Sequence, residues 1–246
     1  MCTVSFVATN DKIIITSNRD EKTIRPSAIP PKNYIVNGKN LIFPKDSKAG
    51  GTWFVVNADG TILVLLNGAD EKHEVKLPYR KSRGLIVLDL ISSFSPKDFW
   101  NEIDLENIEP FTLVLFQNKA LFQLRWNGNE KETTPLDRRK NHIWSSSTLY
   151  PSAIRLQRSK WFHSFMDHNL EISESKMHDF HRYTERGNDE NGLVINRNNE
   201  LKNYVIGNIL LVLYFSGIFD NLFTLDINSN LNIWKTLIES ALVSSI

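Results

Sequence analysis

The residue in this chain with the most unusual chemical setting is its only cysteine, Cys2. Methionine aminopeptidases remove Met1 when a small residue follows, which would leave a thiol and a free α-amine on one residue. An α-amine has a pKa of about 7.7 to 8.0, far below that of lysine, so an appreciable fraction is neutral near pH 7. It can take the thiol proton directly or through a water, and the nucleophile then carries its own base. No catalytic histidine is needed, and the six histidines show no triad-like arrangement. The plainer reading of Cys2 is a small apolar residue opening an edge strand.

Other reactive constellations are sparse. His178 and His181 stand three apart on a predicted helix and can share a face, as metal ligands do. No third ligand has matching spacing, and Asp179 and Arg182 mark a wet surface, so no metal site is expected. The sequence has no P-loop, dinucleotide fingerprint or zinc-protease motif, and no cofactor is expected.

The 246 residues, 41% hydrophobic and 23% charged, suffice for one substantial core or two small ones. A net charge of +1 gives no global basic field, so a nucleic-acid partner is not expected. Arg138, Arg139 and Lys140 read as a solvated turn. One cysteine excludes an intramolecular disulfide. Met1 to Asp11 reads as a strand and turn rather than a secretory signal, and the expected compartment is the cytoplasm.

The elements that would position Cys2 follow from local pattern. Cys2 to Ala8 and Lys12 to Ser17 are β-rich runs joined at Asn10-Asp11, a hairpin signal. Pro26, Pro30 and Pro31 are read as breaking regular structure. Thr52 to Asn57 and Thr61 to Leu66 form a second hairpin around Asp59-Gly60. Pro78 to Phe94 has apolar residues at helical spacing, with Pro78 in the first turn. Ser95-Pro96 opens another helix through Ile103. Phe111 to Phe116 and Ala120 to Trp126 make a third hairpin across Asn118-Lys119, and His142 to Ser146 a further strand. Pro151 to His168 and Ser173 to Tyr183 are helical, with Ser173 as N-cap. Strands and helices come in blocks without βαβ alternation, which favours an α+β layered fold.

Three blocks then carry a resemblance. Met1-Cys2-Thr3 followed by Asn18-Arg19-Asp20-Glu21 is similar to the pairing that names the NRDE family, the transport and Golgi organisation proteins. Ala49-Gly50-Gly51-Thr52-Trp53 with Val56-Asn57, Asp59-Gly60 and Leu66-Asn67 resembles its second block. Ile143 to Pro151 with the helix through Trp161-Phe162 resembles its third. The likeness covers roughly Met1 to Lys202. It implies kinship with N-terminal-nucleophile (Ntn) hydrolases such as penicillin V acylase and bile-salt hydrolase, and hence a four-layer αββα sandwich with antiparallel sheets. It also implies roles: Cys2 as nucleophile, Asp20 as orienter of the α-amine, Asn67 as oxyanion donor. Arg19, Trp53 and Ser146 are the implied substrate-binding residues. Acylases of that kind carry an asparagine where this chain has Ser146 or Ser147, and a downstream arginine with no secure counterpart here. The implied activity is hydrolysis of a linear amide C–N bond. The alternative is a non-catalytic carrier of haem or an acylated metabolite, since some members act in haem trafficking.

Among the smaller signals, Asn18 and Glu21 read equally as strand-end caps or as direct participants. Gly50 and Gly51 read as a turn with unusual backbone angles or as a close approach to a ligand.

From Asn203 to Phe219 the chain has 17 uncharged residues, short of the roughly 20 that span a bilayer. A buried helix or strand pair is expected before a membrane anchor. A third reading is that the tail, residues 203–246, is divergent or out of frame. An extra adenine before a family-like Lys-Thr-Met-Ser would spell Lys-Asn-Tyr-Val, which stands at Lys202 to Val205.

Overall fold

The computed structural model describes residues 3–19, 25–184, 207–216, 219–229 and 232–238. Cys2 and Asp20, together with Glu21, lie outside the described residues.

The hairpin of β1 (Thr3–Ala8) and β2 (Lys12–Arg19) forms as its sequence predicts. It anchors a six-stranded sheet with β10 (His142–Ser145) beside β1. On the other side β2 pairs with β11 (Gly207–Ser216), followed by β12 (Phe219–Ser229) and β13 (Asn232–Ile238). Every pairing is antiparallel. Within the apolar stretch of the tail, Gly207–Ser216 thus enters the sheet as a strand.

The second sheet has seven strands in chain order: β3 (Ile29–Val36), β4 (Lys39–Lys45), β5 (Phe54–Asn57), β6 (Ile62–Asn67), β7 (Phe111–Gln117), β8 (Ala120–Trp126) and β9 (Lys131–Leu136). Asn118 and Lys119 both take positive φ, 51° and 59°, the geometry a two-residue hairpin turn requires.

The prolines do not break β3. The register shifts between Ile29 and Lys32, so Pro30-Pro31 occupies an irregularity on an edge strand, where a missing N–H costs no ladder bond. β9 carries Pro135 on the opposite edge, again the position open to proline.

Side-chain alternation divides the layers. On β1 and β2, Val4, Phe6, Ile13 and Ile15 face the seven-stranded sheet and share its core with Val64, Leu113 and Leu211 of β11. Their neighbours Val7, Ile14 and Val212 face the other way, into a smaller core with Phe162, Met177 and Phe180. These last belong to α3 (Ser152–His168) and α4 (Glu174–Tyr183), which cover the outside of the six-stranded sheet. α1 (Arg83–Ser92) and α2 (Pro96–Glu102) cover the seven-stranded sheet. Burying each large apolar side chain contributes roughly 1.5–3 kcal/mol, and a one-residue register slip on β1 or β2 would exchange the two cores. The result is the expected αββα stack.

The caps behave as the sequence indicates: Ser95 Oγ accepts from the Asp98 N–H at 3.4 Å, and Ser173 Oγ from the Lys176 N–H at 3.3 Å. α1 is shorter than the predicted Pro78–Phe94. The Ser82 carbonyl accepts from Leu85 and Ile86, while Arg80 N–H donates to the Asn107 carbonyl at 2.9 Å and holds residues 78–82 outside the helix. Phe94 is fully exposed. Among the described residues no helix is long and apolar enough to cross a membrane.

Candidate functional site

Two cavities open between the sheets and meet at Asn67, which lines both. The larger, of about 600 Å³, is walled by Arg19, Trp53, Leu65, Asn67, Tyr79 and Arg83. The smaller, of about 410 Å³, lies on the other side of Asn67, between Trp144, Ser146 and the polar face of α3.

Arg19 occupies an inward position at the end of β2, in register with Ile13 and Ile15. Only 3% of it is exposed. Its guanidinium lies 4.7 Å from the centre of the Trp53 ring and donates to Asp46 Oδ2 at 2.9 Å. Arg25 donates to the same oxygen from Nε at 3.0 Å. The other oxygen, Oδ1, accepts from the backbone N–H groups of Lys48 (3.0 Å) and Ala49 (2.7 Å). Burial pushes the Asp46 carboxyl up, but the Ala49 N–H and the charges of Arg25 and Arg19 outweigh it and hold the group below its ordinary value. Asp46 was not singled out from sequence. An aspartate followed by Lys48-Ala49-Gly50-Gly51 is the available signal, because such a side chain readily caps the turn after it.

That turn explains the paired glycines. Gly50 has φ +73°, and a Cβ on Gly51 would lie 2.4 Å from the Gly84 carbonyl carbon. The Thr52 N–H donates to the Gly84 carbonyl at 3.1 Å. Gly51 therefore lets the segment leading into β5 touch the start of α1. The close approach is to backbone, and it fixes the cavity wall.

Asn67 ends β6 opposite Phe111. Gly68 follows with φ +82°, where an added Cβ would meet Ser147 Oγ at 2.2 Å. The Thr112 hydroxyl donates to the Gly68 carbonyl at 2.9 Å. Ser146, 1% exposed, donates its hydroxyl to the Asn67 carbonyl at 2.7 Å. The structure thus brings Arg19, Trp53 and Asn67 into one cavity, and joins Ser146 to them through the backbone of Asn67.

Asn18 faces away from the cavities. Its Nδ2 donates to the His181 carbonyl at 3.0 Å, which turns Oδ1 toward His181 Nδ1 at 3.1 Å. Because Oδ1 only accepts, Nδ1 carries the hydrogen, and Nε2 accepts from the Ser5 hydroxyl at 2.8 Å. His181 is fully buried, which corrects the wet surface expected from Asp179 and Arg182. Burial, then the charge of Arg158 and the proximity of His178, push its pKa down to about 3. Among the described residues no group of three or more metal-ligating side chains comes together.

Arg158 was also missed by sequence reasoning. It is fully buried in α3, donates to Ser145 Oγ from Nε at 3.0 Å and to Thr3 Oγ1, and stacks 4.0 Å from the centre of the Tyr150 ring. Its position gives the signal, one turn before Phe162 on the inward face. The pattern of apolar residues cannot show a buried cation. Arg158 and His181 together hold Thr3, Ser5 and Asn18, the ends of β1 and β2 nearest Cys2 and Asp20 in sequence.

The fold has solved relatives. An N-acylethanolamine-hydrolyzing acid amidase orthologue from Caenorhabditis elegans superposes with a TM-score of 0.57 at 11% identity, over 85% of this chain and 92% of that one. Two variants of the conjugated bile acid hydrolase from Clostridium perfringens, one a cysteine-to-alanine substitution, give 0.59 and 0.58 at 10% identity. Each covers 97% of this chain and 92% of theirs. These likenesses establish an Ntn-hydrolase fold with antiparallel sheets. No curated protein matches the sequence. The profile of Transport and Golgi organisation 2 matches residues 1–207, most of the length, and the chain belongs to that family.

Proposed function

We propose that this protein is a hydrolase of linear amide C–N bonds, working through an N-terminal cysteine. The observation that carries the reading is Asn67, a carboxamide set where two cavities meet, in a fold shared with an N-acylethanolamine-hydrolyzing acid amidase and a conjugated bile acid hydrolase.

In this scheme the α-amine of Cys2 accepts the thiol proton and the sulfur attacks the amide carbonyl carbon. The oxyanion is met by the Asn67 side-chain N–H, an interaction worth roughly 2.7–4 kcal/mol when preorganised. The C–N bond breaks, the leaving amine takes the proton from the α-ammonium, and a thioester remains on Cys2. Water then cleaves the thioester, with the same amine as base, to release a carboxylic acid. Asp20 orients the α-amine. Trp53 and Arg19 form one wall of the substrate cavity, and Ser146 fixes the backbone of Asn67.

The test is intact-mass measurement of the Met1-processed protein after incubation with a panel of N-acyl amides. An acyl adduct on Cys2, absent from Cys2→Ala, supports the hydrolase. Binding of the same amides, or of haem, that survives Cys2→Ala without any adduct overturns it in favour of a carrier. Retention of Met1 in purified protein would also overturn it.

A further inference from the structure

The smaller cavity has a one-sided charge. Among the described residues none that lines it is Asp or Glu, whereas Arg125 and Arg155 both line it. Arg155 belongs to a polar stripe on α3 with Ser159 and His163, four residues apart and therefore on one helix face. That stripe lies beside the inward residues Arg158 and Phe162 and takes no part in the core.

The carboxylates that neutralise these arginines sit outside the cavity. Arg155 Nη2 pairs with Glu71 at 3.1 Å, and Arg125 pairs with Asp70 and, at 3.8 Å, Glu132. The side chains of Glu71, Asp70 and Glu132 are 73%, 60% and 55% exposed. Pairs with such exposed partners are weak and exchangeable. Among the described residues both arginines also keep a buried Nε–H with no acceptor, a charge-assisted donor of the kind that holds an oxyanion.

We propose that this cavity is an acid subsite: the arm of the substrate on the Ser146 side of Asn67 ends in a carboxylate or phosphate held by Arg125 and Arg155. The placement relative to the reacting bond rests on the proposed hydrolase reading, whereas binding of the acid does not.

The experiment is calorimetric titration of full-length Cys2→Ala protein at fixed ionic strength with three ligands. These are N-octanoylglycine, N-octanoyl-O-phosphoethanolamine and the neutral N-octanoylethanolamine. At least one acid is expected to bind about ten-fold more tightly than the neutral amide, and the stronger of the two identifies the acid. Arg155→Met and Arg125→Met should each remove about ten-fold of the acid's affinity and leave the neutral ligand unchanged. Glu71→Gln, on the exposed partner, should tighten the acid several-fold by freeing Arg155; a loss of folding cannot imitate this gain. If an arginine variant does not fold, the acid-to-neutral ratio and Glu71→Gln decide. Equal affinity for acid and neutral ligands, or an acid preference that survives both arginine substitutions, overturns the subsite. Acid preference in a protein whose Cys2 never becomes acylated leaves the subsite standing and removes the hydrolase.

Discussion

The hydroxyl of Ser146 donates a 2.7 Å hydrogen bond to the backbone carbonyl of Asn67. This single bond ties the residue after β10, in the six-stranded sheet, to the last residue of β6, in the seven-stranded sheet. It crosses the gap between sheets where the two cavities join. Ser146 thus acts on the position of Asn67 through its backbone.

Ser146→Ala should therefore lower kcat more than it lowers stability. Loss of one buried hydrogen bond costs about 1 kcal/mol, measurable in urea unfolding. A displaced oxyanion donor reduces turnover by ten-fold or more, on the order expected for small misplacements. An unchanged kcat with reduced stability would confine Ser146 to folding.

Under the proposed scheme Asn67→Ala should reduce kcat by about 10²–10³ while KM changes little, because there the amide meets charge that develops only in the transition state. Steady-state kinetics on any amide found to acylate Cys2 separates the two constants. A rise in KM alone would place Asn67 in ground-state binding.

Asp46→Asn removes the carboxylate to which both Arg19 and Arg25 donate. Taking one partner from a buried charge cluster costs about 3 kcal/mol, and the cavity wall at Trp53 should loosen with it. Urea titration reads the cost, and Trp53 fluorescence, referenced to Trp53→Phe, reads the wall. The Asp46 pKa lies below its unfolded value. The ion pair's contribution is therefore present above the unfolded pKa and lost as pH falls through the folded one.

His181 imposes a second acid sensitivity in a different window. Its folded pKa, about 3, lies below the ordinary 6.5, so below 6.5 the unfolded chain binds a proton that the folded chain refuses. Stability should be complete above about pH 6.5 and fall between there and pH 3, by at most tenfold in the folding constant per pH unit. Replacement by Asn should weaken the protein at pH 7 and flatten the dependence between pH 6 and 4.5. Denaturant midpoints across that range check both effects.

Gly68→Ala combines a φ of +82° with a Cβ set 2.2 Å from Ser147 Oγ. The strain alone is of order 1 kcal/mol, and the clash displaces Ser147 or the end of β6. A drop in thermal midpoint together with reduced turnover is expected. A drop in midpoint alone would show that Asn67 holds its place.

The sequence by itself determined the secondary-structure elements and their order. Hairpins at Asn10-Asp11, Asp59-Gly60 and Asn118-Lys119, caps at Ser95 and Ser173, and alternation along β1 and β2 are local properties, written in neighbouring residues. Asn67, Arg19 and Trp53 could be singled out as candidates because the motif blocks that carry the resemblance are contiguous. Only the tertiary structure decided which polar groups meet. Asp46 with Arg19, Ser146 with Asn67, and His181 with Ser5 and Asn18 lie 27, 79, 176 and 163 residues apart. Hydrophobic periodicity records which face of an element is buried. It is silent on charges and hydroxyls held inside by distant partners, and two of these pairs, Asp46 with Arg19 and Ser146 with Asn67, line the cavities.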